Sequence, residues 1–356
     1  MGDNGRVLIL NAESGMTLPF FWYYNKLGYK VIGCANDISP SSLFSRAIHY
    51  RTFIKSPSEF DERSKRLFVN RIERLRKRID TRLVLGFREN TVEPIIKYKD
   101  KIKAENIYPS YRSYSILFYK DKLKRYVEME NPRSFLIPKS LDKDNIKFPC
   151  VVKPNIGRGG AFVALCNSLS ELKFFSKIIK QNNRIPIVEE YIPYKDKIAM
   201  NLLIDRNFKV KRAVVRAAVS IERIKEIIYE LEDFFKKIKY FGFASPQFLL
   251  KNRNLYLAEI NPRLSAIYYG IDFGVNFPES FHLSIVEKRN IEERFIFVPK
   301  NYRGNIVRYT NIFLRDFQDL MPIITTIGEH LYWKSKKKIK ILFSKKYKKW
   351  FRFSEI

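Results

Sequence analysis

The segment YLAEINPRLS, residues 256–265, closes an apolar strand with Glu259, Asn261 and Arg263. Alternate residues of a strand share a face, so these three line up while Ile260 points to the opposite side. Glu259 and Asn261 stand about 6.5 Å apart along the strand, a spacing at which two oxygen donors can grip a hard cation. A strand end carrying solvated polar residues is the plainer reading of the same ten residues.

The preceding sequence extends the pattern. SPQFLLKNRNLYLAEIN, residues 245–261, reads as a β-hairpin. A three-residue loop Asn252-Arg253-Asn254, with Asn254 in the left-handed position, sets Gln247 opposite Glu259. Gln247, Glu259 and Asn261 then converge on one face, with Phe248, Ala258 and Ile260 on the other. Oxygen donors without histidine or thiolate suit magnesium, which takes few protein ligands and keeps positions for water and substrate phosphates. A register one residue different removes Gln247 from the set.

Upstream, NIGRGGA offers Gly157, Arg158, Gly159 and Gly160, a loop whose backbone N–H groups can point at one anion. Lys153 precedes it in VVKP, at the end of a strand, within reach of a phosphate. An ordinary glycine turn and an edge lysine explain either feature alone. A lysine, a glycine loop and a downstream carboxylate–amide pair together point to a nucleoside triphosphate.

The rest of the chain limits the chemistry. Its 356 residues allow two or three domains, and the three cysteines and three histidines form no metal or nucleophile pattern. Catalysis therefore falls to carboxylates, lysines, arginines and a borrowed metal. No apolar run is long enough to span a bilayer, and the opening MGDNGRVLILNAESG lacks the long apolar core of a secretory signal, so a cytoplasmic protein is expected. Lys and Arg number 67 against 37 Asp and Glu, a net charge of +30. That surplus favours polyanions, and it thickens in WKSKKKIKILFSKKYKKWFRF, residues 333–353, which reads either as a grip on an anionic membrane or polymer or as a plain basic face.

Element signals divide the chain. RVLIL (6–10), YKVIGC (29–34) and RLVLGF (82–87) are parallel-type strands with helices at about 16–27 and 58–79, a βαβ arrangement. The loop NAESG after the first strand sits where open α/β sheets place ligands, but it lacks a dinucleotide fingerprint and also fits an ordinary turn. A helix over 113–130 leads to the strand FPCVVKP, a helix at 170–180, strands at 185–192, 198–205 and 210–219, a helix at 221–239 and the hairpin. This second half is α+β.

The ordered motifs DKLKRY, FPCVVKPNIGRGGA, IVEEYIPYKD, SPQFLL and LYLAEINPRLSAIYYGIDFGVNFPE resemble the ATP-grasp superfamily, in the style of short proteins similar to the large subunit of carbamoyl phosphate synthetase. The resemblance runs to about residue 287. It implies a Rossmann-like pre-ATP-grasp domain over 1–112, a small lid subdomain over 113–190, a metal-bearing subdomain over 191–300 and a basic extension over 301–356. It implies that Lys122 and Lys153 hold the α- and β-phosphates of ATP beneath the 157–160 flap. The hinge Glu189-Glu190-Tyr191-Ile192 would meet adenine, with Glu189 receiving its amino group, and Asp196 would take the ribose. Gln247, Glu259 and Asn261 match the ligands of magnesium, with manganese as the substitute, Arg263 faces phosphate, and Arg216 steadies the transferred phosphoryl group.

Such enzymes phosphorylate a carboxylate with ATP and let an amine or other nucleophile attack the acyl phosphate. The implied partners are a carboxylate and an amine acceptor, one of them anionic, such as an amino acid joined to an acidic glycan or lipid-linked intermediate. A homo-oligomer and a peripheral position at the membrane through the basic C-terminus are further expectations. The competing readings are phosphotransfer without ligation, and a polyanion-binding protein of this fold without turnover. Three features depart from the family: the short span between Arg216 and the next helix, the proline in ASPQ, and a single ATP-grasp unit, so that carbamoyl phosphate synthesis is not expected.

Overall fold

The computed structural model describes residues 4–36, 45–142, 144–157, 160–217, 219–264 and 274–298. Arg158 and Gly159 of the glycine loop and the basic segment 333–353 lie outside the described residues.

The first sheet is parallel, in the order β3-β2-β1-β4, from β1 (Arg6–Leu10), β2 (Lys30–Ala35), β3 (Tyr50–Phe53) and β4 (Leu83–Leu85). The run RVLIL is apolar on both faces because both are covered. Val7 and Ile9 pack with Phe20 and Phe21 of α1 (Leu18–Lys26), whereas Leu8 and Leu10 pack with Phe68, Val69 and Ile72 of α2 (Glu62–Arg78). The strand β3 gave no sequence signal, because YRTF is an exposed edge without alternation. α3 (Glu89–Lys97) follows β4.

The expected helix over 113–130 is two helices, α4 (Tyr111–Phe118) and α5 (Lys120–Glu130), broken at Tyr119, whose backbone is extended. A three-stranded antiparallel sheet, β6-β5-β7, comes next, from β5 (Cys150–Pro154), β6 (Ala164–Cys166) and β7 (Pro186–Glu190), with α6 (Leu169–Gln181) packed on it.

The third sheet has five strands in the order β11-β10-β8-β9-β12. They are β8 (Asp196–Ile204), β9 (Val210–Arg216), β10 (Gly242–Lys251), β11 (Asn254–Asn261) and β12 (Arg294–Val298). β12 also gave no sequence signal and lies parallel to β9. One face of this sheet packs on α7 (Ile221–Ile238), through Ile198, Met200, Leu202 and Ile204 of β8 against Ile224, Ile228, Leu231 and Phe235. On the opposite face Leu203 and Val214 join the core of the N-terminal unit. Farther along the same strands Ala199 and Arg216 are exposed. The sheet is thus roofed at one end and open at the other, and the open end is the floor of a cleft. The helix α8 (Phe277–Phe281) closes the core behind it. Among the described residues no helix is long and apolar enough to cross a membrane.

Candidate functional site: a lysine-lined cleft

The hairpin brings Gln247 opposite Glu259, by a different route from the expected one. Lys251 pairs with Asn254, so the loop is only Asn252-Arg253, and Asn252, not Asn254, takes the positive φ, at 52°. A β-bulge between Gln247 and Phe248 restores the register, so Phe248 pairs with Leu257 and Ala258 is the extra residue. The proline of ASPQ does not interrupt the strand, since Pro246 pairs with Ile260.

The register continues across the sheet. Gln247 is also opposite Ala199, and Ala199 is opposite Arg216. Directly opposed residues share a face. Arg216, Ala199, Gln247 and Glu259 therefore form one row over four strands, with an exposed alanine at its centre. Asn261 stands beside the row, its Nδ2 donating to Glu259 Oε1 at 3.0 Å. Asp196 does not join them, because strand alternation puts it on the side of Ile198 and Met200, which is core.

The cations arrive from α5 and β5. Lys120 Nζ lies 3.4 Å from Glu259 Oε2 and donates to the Gly157 carbonyl at 3.2 Å. Lys124 Nζ lies 3.1 Å from Glu189 Oε1, and Lys153 Nζ 2.7 Å from Glu189 Oε2. Lys153 also donates to the Ala258 carbonyl at 3.3 Å. Lys120 and Lys124 are one helical turn apart and so share a face. Lys122 is on the other side, exposed, near Ser115 Oγ at 3.4 Å and over the Tyr119 ring at 4.7 Å. The structure thus does not bring Lys122 to the cluster; Lys120 stands there instead. The reason is the helix break at Tyr119, which starts α5 at Lys120.

That start is fixed by Asn155, the residue following VVKP. Its carbonyl accepts from Lys120 N at 3.2 Å and its Oδ1 from Asp121 N at 3.0 Å, satisfying two N-terminal donors of α5. Asn155 is the residue sequence reasoning missed most clearly, and its place beside a lysine strand was the available signal.

Glu189 is buried, and both its oxygens are held by lysines. Glu190, one residue on, points elsewhere and accepts from Lys139 N at 2.8 Å. Ile192 is core and Tyr191 half-buried. Burial lowers the Lys120 ammonium below the ordinary lysine value, opposed by Glu259, and lowers Lys124 likewise, opposed by Glu189. Burial pushes the Glu259 carboxyl up, but Lys120, Asn261 and Lys153 outweigh it and hold it below the usual carboxylate range.

Two further pairs frame the cleft. Arg263 is ion-paired through Nε with Glu89 at the start of α3. Arg184 donates to the Ile156 carbonyl at 2.6 Å and meets Glu59 at 2.7 Å, tying the glycine loop to the N-terminal unit. Gly157 packs so closely that a Cβ there would lie 2.8 Å from Pro154 Cγ. The resulting cleft is lined by Lys120, Gly157, Glu259, Asn261, Glu59 and Glu89, among others. The NAESG loop is spent on the scaffold: Asn11 Oδ1 accepts from Phe87 N and Arg88 N, and Glu13 holds Asn36 N at 2.9 Å and Arg88 at 3.2 Å.

Among the described residues no three His, Cys, Asp or Glu side chains gather to hold a metal by themselves. One carboxylate with two amide side chains, beside three lysines, suits an ion that arrives carrying phosphate oxygens of its own.

No family model matches the sequence, and no curated protein matches it in sequence either. Solved structures do match in fold. The biotin carboxylase domain of 2-oxoglutarate carboxylase from Hydrogenobacter thermophilus, in complex with MgADP and bicarbonate, superposes with a TM-score of 0.65 at 15% identity, over 81% of this chain and 71% of that one. N5-carboxyaminoimidazole synthetase from Staphylococcus aureus complexed with ADP gives 0.61 at 15% identity, over 82% and 80%. L-amino acid ligase from Bacillus licheniformis gives 0.58 at 16% identity, over 80% and 74%. The chain has the ATP-grasp fold.

Proposed function

We propose that the protein is an ATP- and magnesium-dependent ligase that joins a carboxylate to an amine, or to a thiol, through an acyl phosphate. The observation that carries this reading is the convergence of Lys120, Lys124 and Lys153 on Glu189 and Glu259 at the open end of a sheet, beside the Gly157 loop. Buried lysines held by two carboxylates are a site waiting for a larger anion. A triphosphate supplies it, and Lys120 and Lys153 turn from glutamate and carbonyl oxygens to phosphate oxygens.

Glu259, Asn261 and Gln247 would hold magnesium, which would neutralise charge on the phosphates. Arg216, at the far end of the row, faces the phosphoryl group in transit. Arg263, released from Glu89, binds the substrate anion. The carboxylate oxygen attacks the γ-phosphorus and ADP leaves. The deprotonated amine then attacks the acyl carbon, forming the C–N bond and expelling phosphate. Positioning and fixed cations supply the acceleration, and the glycine loop excludes water from the acyl phosphate. This reading keeps the division of the chain at residues 112, 190 and 300.

The test is ADP release from MgATP across pools of amino acids and small carboxylates, with Lys153→Ala as control. Release that needs one pool and Lys153 supports the ligase. Bound MgATP with no release from any pool, including acidic glycan fragments, would defeat it.

A further inference from the structure

The outer face of α2 takes no part in the cleft, and its charge is one-sided. Its exposed positions include Arg63, Arg66, Arg71, Arg74, Lys77 and Arg78, with Leu67 and Asn70 the only others. At about 100° per residue all eight fall within an arc of about 140°, and the cations span about 22 Å. No acid shares that arc. The two acids of the helix turn to its flanks: Glu62 meets Lys65 at 3.1 Å and Lys97 at 2.8 Å, and Glu73 meets Arg76 at 2.7 Å and accepts from Lys103 N at 3.1 Å. Arg63, Arg71, Arg74 and Arg78 make no ion pair among the described residues. The positive surface continues sideways, where Arg66, Lys97 and Lys101 gather around the Tyr98 ring at 5.7, 5.9 and 5.8 Å.

We infer that this face docks the protein on an anionic phospholipid bilayer. Like charges set so close repel one another, and a sheet of negative headgroups relieves that repulsion while each arginine or lysine gains from the surface potential. The apolar side of α2, with Phe68, Val69 and Ile72, is committed to the core, so the helix lies on the bilayer without inserting. Leu67, 50% exposed within the arc, reaches the headgroup layer. A single-stranded nucleic acid would ask for free rings on which bases stack; the arc of α2 carries none, and the neighbouring Tyr98 ring is already taken by Arg66, Lys97 and Lys101. A second copy of the chain would bring the same charge to this face. Glu59 lines the cleft just ahead of α2, so docking holds one wall of the cleft near the membrane. That this brings a lipid-borne anionic substrate within reach rests on the proposed function; the docking itself does not.

The test is co-sedimentation of the full chain with vesicles of equimolar phosphatidylglycerol and phosphatidylcholine, against vesicles of phosphatidylcholine alone. The variant carries Arg66→Gln, Arg71→Gln, Arg74→Gln and Arg78→Gln. Wild type should bind only the anionic vesicles and release them in high salt, and the variant should bind at least about tenfold more weakly. Its melting temperature and its thermal shift with MgATP should stay as in wild type. Those two readouts show that it folds, and they separate failure of the docking from failure of the nucleotide reading. Unchanged vesicle binding by the folded variant would overturn the inference and assign vesicle affinity to the basic C-terminus. A short DNA duplex that displaces the vesicles from wild type but not from the variant would overturn it in favour of nucleic acid.

Discussion

Replacing Glu189 by alanine tests the electrostatics of the cleft most directly. Its carboxylate is the shared counter-ion of Lys124 and Lys153, whose side chains are 6% and 10% exposed. Removing one partner of a buried ion pair costs about 3–5 kcal/mol, because the other charge is left without compensation. Two lysines are stranded here, yet Lys153 keeps the Ala258 carbonyl, so the lower half of that range is the expectation for the pair. At about 2 °C per kcal/mol for a large domain, the melting temperature should fall by about 6–8 °C at neutral pH. Glu189→Gln, which keeps an acceptor oxygen but no charge, should fall between wild type and Glu189→Ala.

The pH dependence gives the sharper test. Burial already lowers Lys124 in the folded state, and loss of Glu189 lowers it further. A lysine whose folded value lies below its unfolded value of about 10.4 binds fewer protons when folded, so stability rises with pH between the two values. The gap between wild type and variant should therefore shrink from neutral pH towards pH 10. Differential scanning calorimetry across that range measures it. A gap below about 1 kcal/mol at pH 7, or one that does not change with pH, would refute the account of Glu189 as counter-ion.

The remaining expectations concern the ligands and the N-terminal unit. Lys120→Met and Lys153→Met should each weaken a non-hydrolysable MgATP analogue at least about tenfold, the scale of one charge-assisted hydrogen bond, while Lys122→Met stays within about twofold by titration calorimetry. Magnesium alone should give no saturable heat at millimolar concentration, since the chain offers a single carboxylate at the site; Glu259→Ala should then abolish metal-dependent turnover and lower the melting temperature by less than Glu189→Ala does, since it strands one buried lysine, Lys120, which keeps the Gly157 carbonyl. In α2, burial pushes the Glu62 carboxyl up, but Lys97, Tyr98 and Lys65 outweigh it and hold it at about 2. Its stabilisation is complete above the ordinary carboxylate range and is lost as pH falls through about 2. With Glu62 45% exposed, solvent screening limits that contribution to about 1 kcal/mol, and Glu62→Gln should flatten the acid limb of the stability curve by that amount.

What was legible in the sequence, and what was not, follows from the range of the interactions involved. The strand ending in Glu259 and Asn261 could be read from alternation alone, and so could RVLIL, because a strand covered on both faces has no polar interruption. The pairing of Gln247 with Glu259 came out as expected although its premises did not. A loop one residue shorter and a bulge at Phe248 compensate, and only the sum of the two is felt at the Glu259 end of the hairpin. Edge strands such as β3 and β12 were invisible, since their partners, not their own patterns, hold them in place.

The lysines show the same limit at a finer scale. A motif read in register gives Lys122, but which lysine faces the cleft depends on where α5 begins, and that is set by Asn155, more than thirty residues away in sequence. Once the helix starts at Lys120, 3.6-residue periodicity carries Lys124 to Glu189 and turns Lys122 to solvent. Lys153 needed no such information, because a strand residue two positions before Asn155 is placed by the sheet. The cluster is therefore assembled by one cap: the residue that ends the lysine strand also starts the lysine helix. An Asn155→Ala variant links the two, since it should weaken nucleotide binding without touching any phosphate, and Asn155→Asp, which keeps the cap, should recover it.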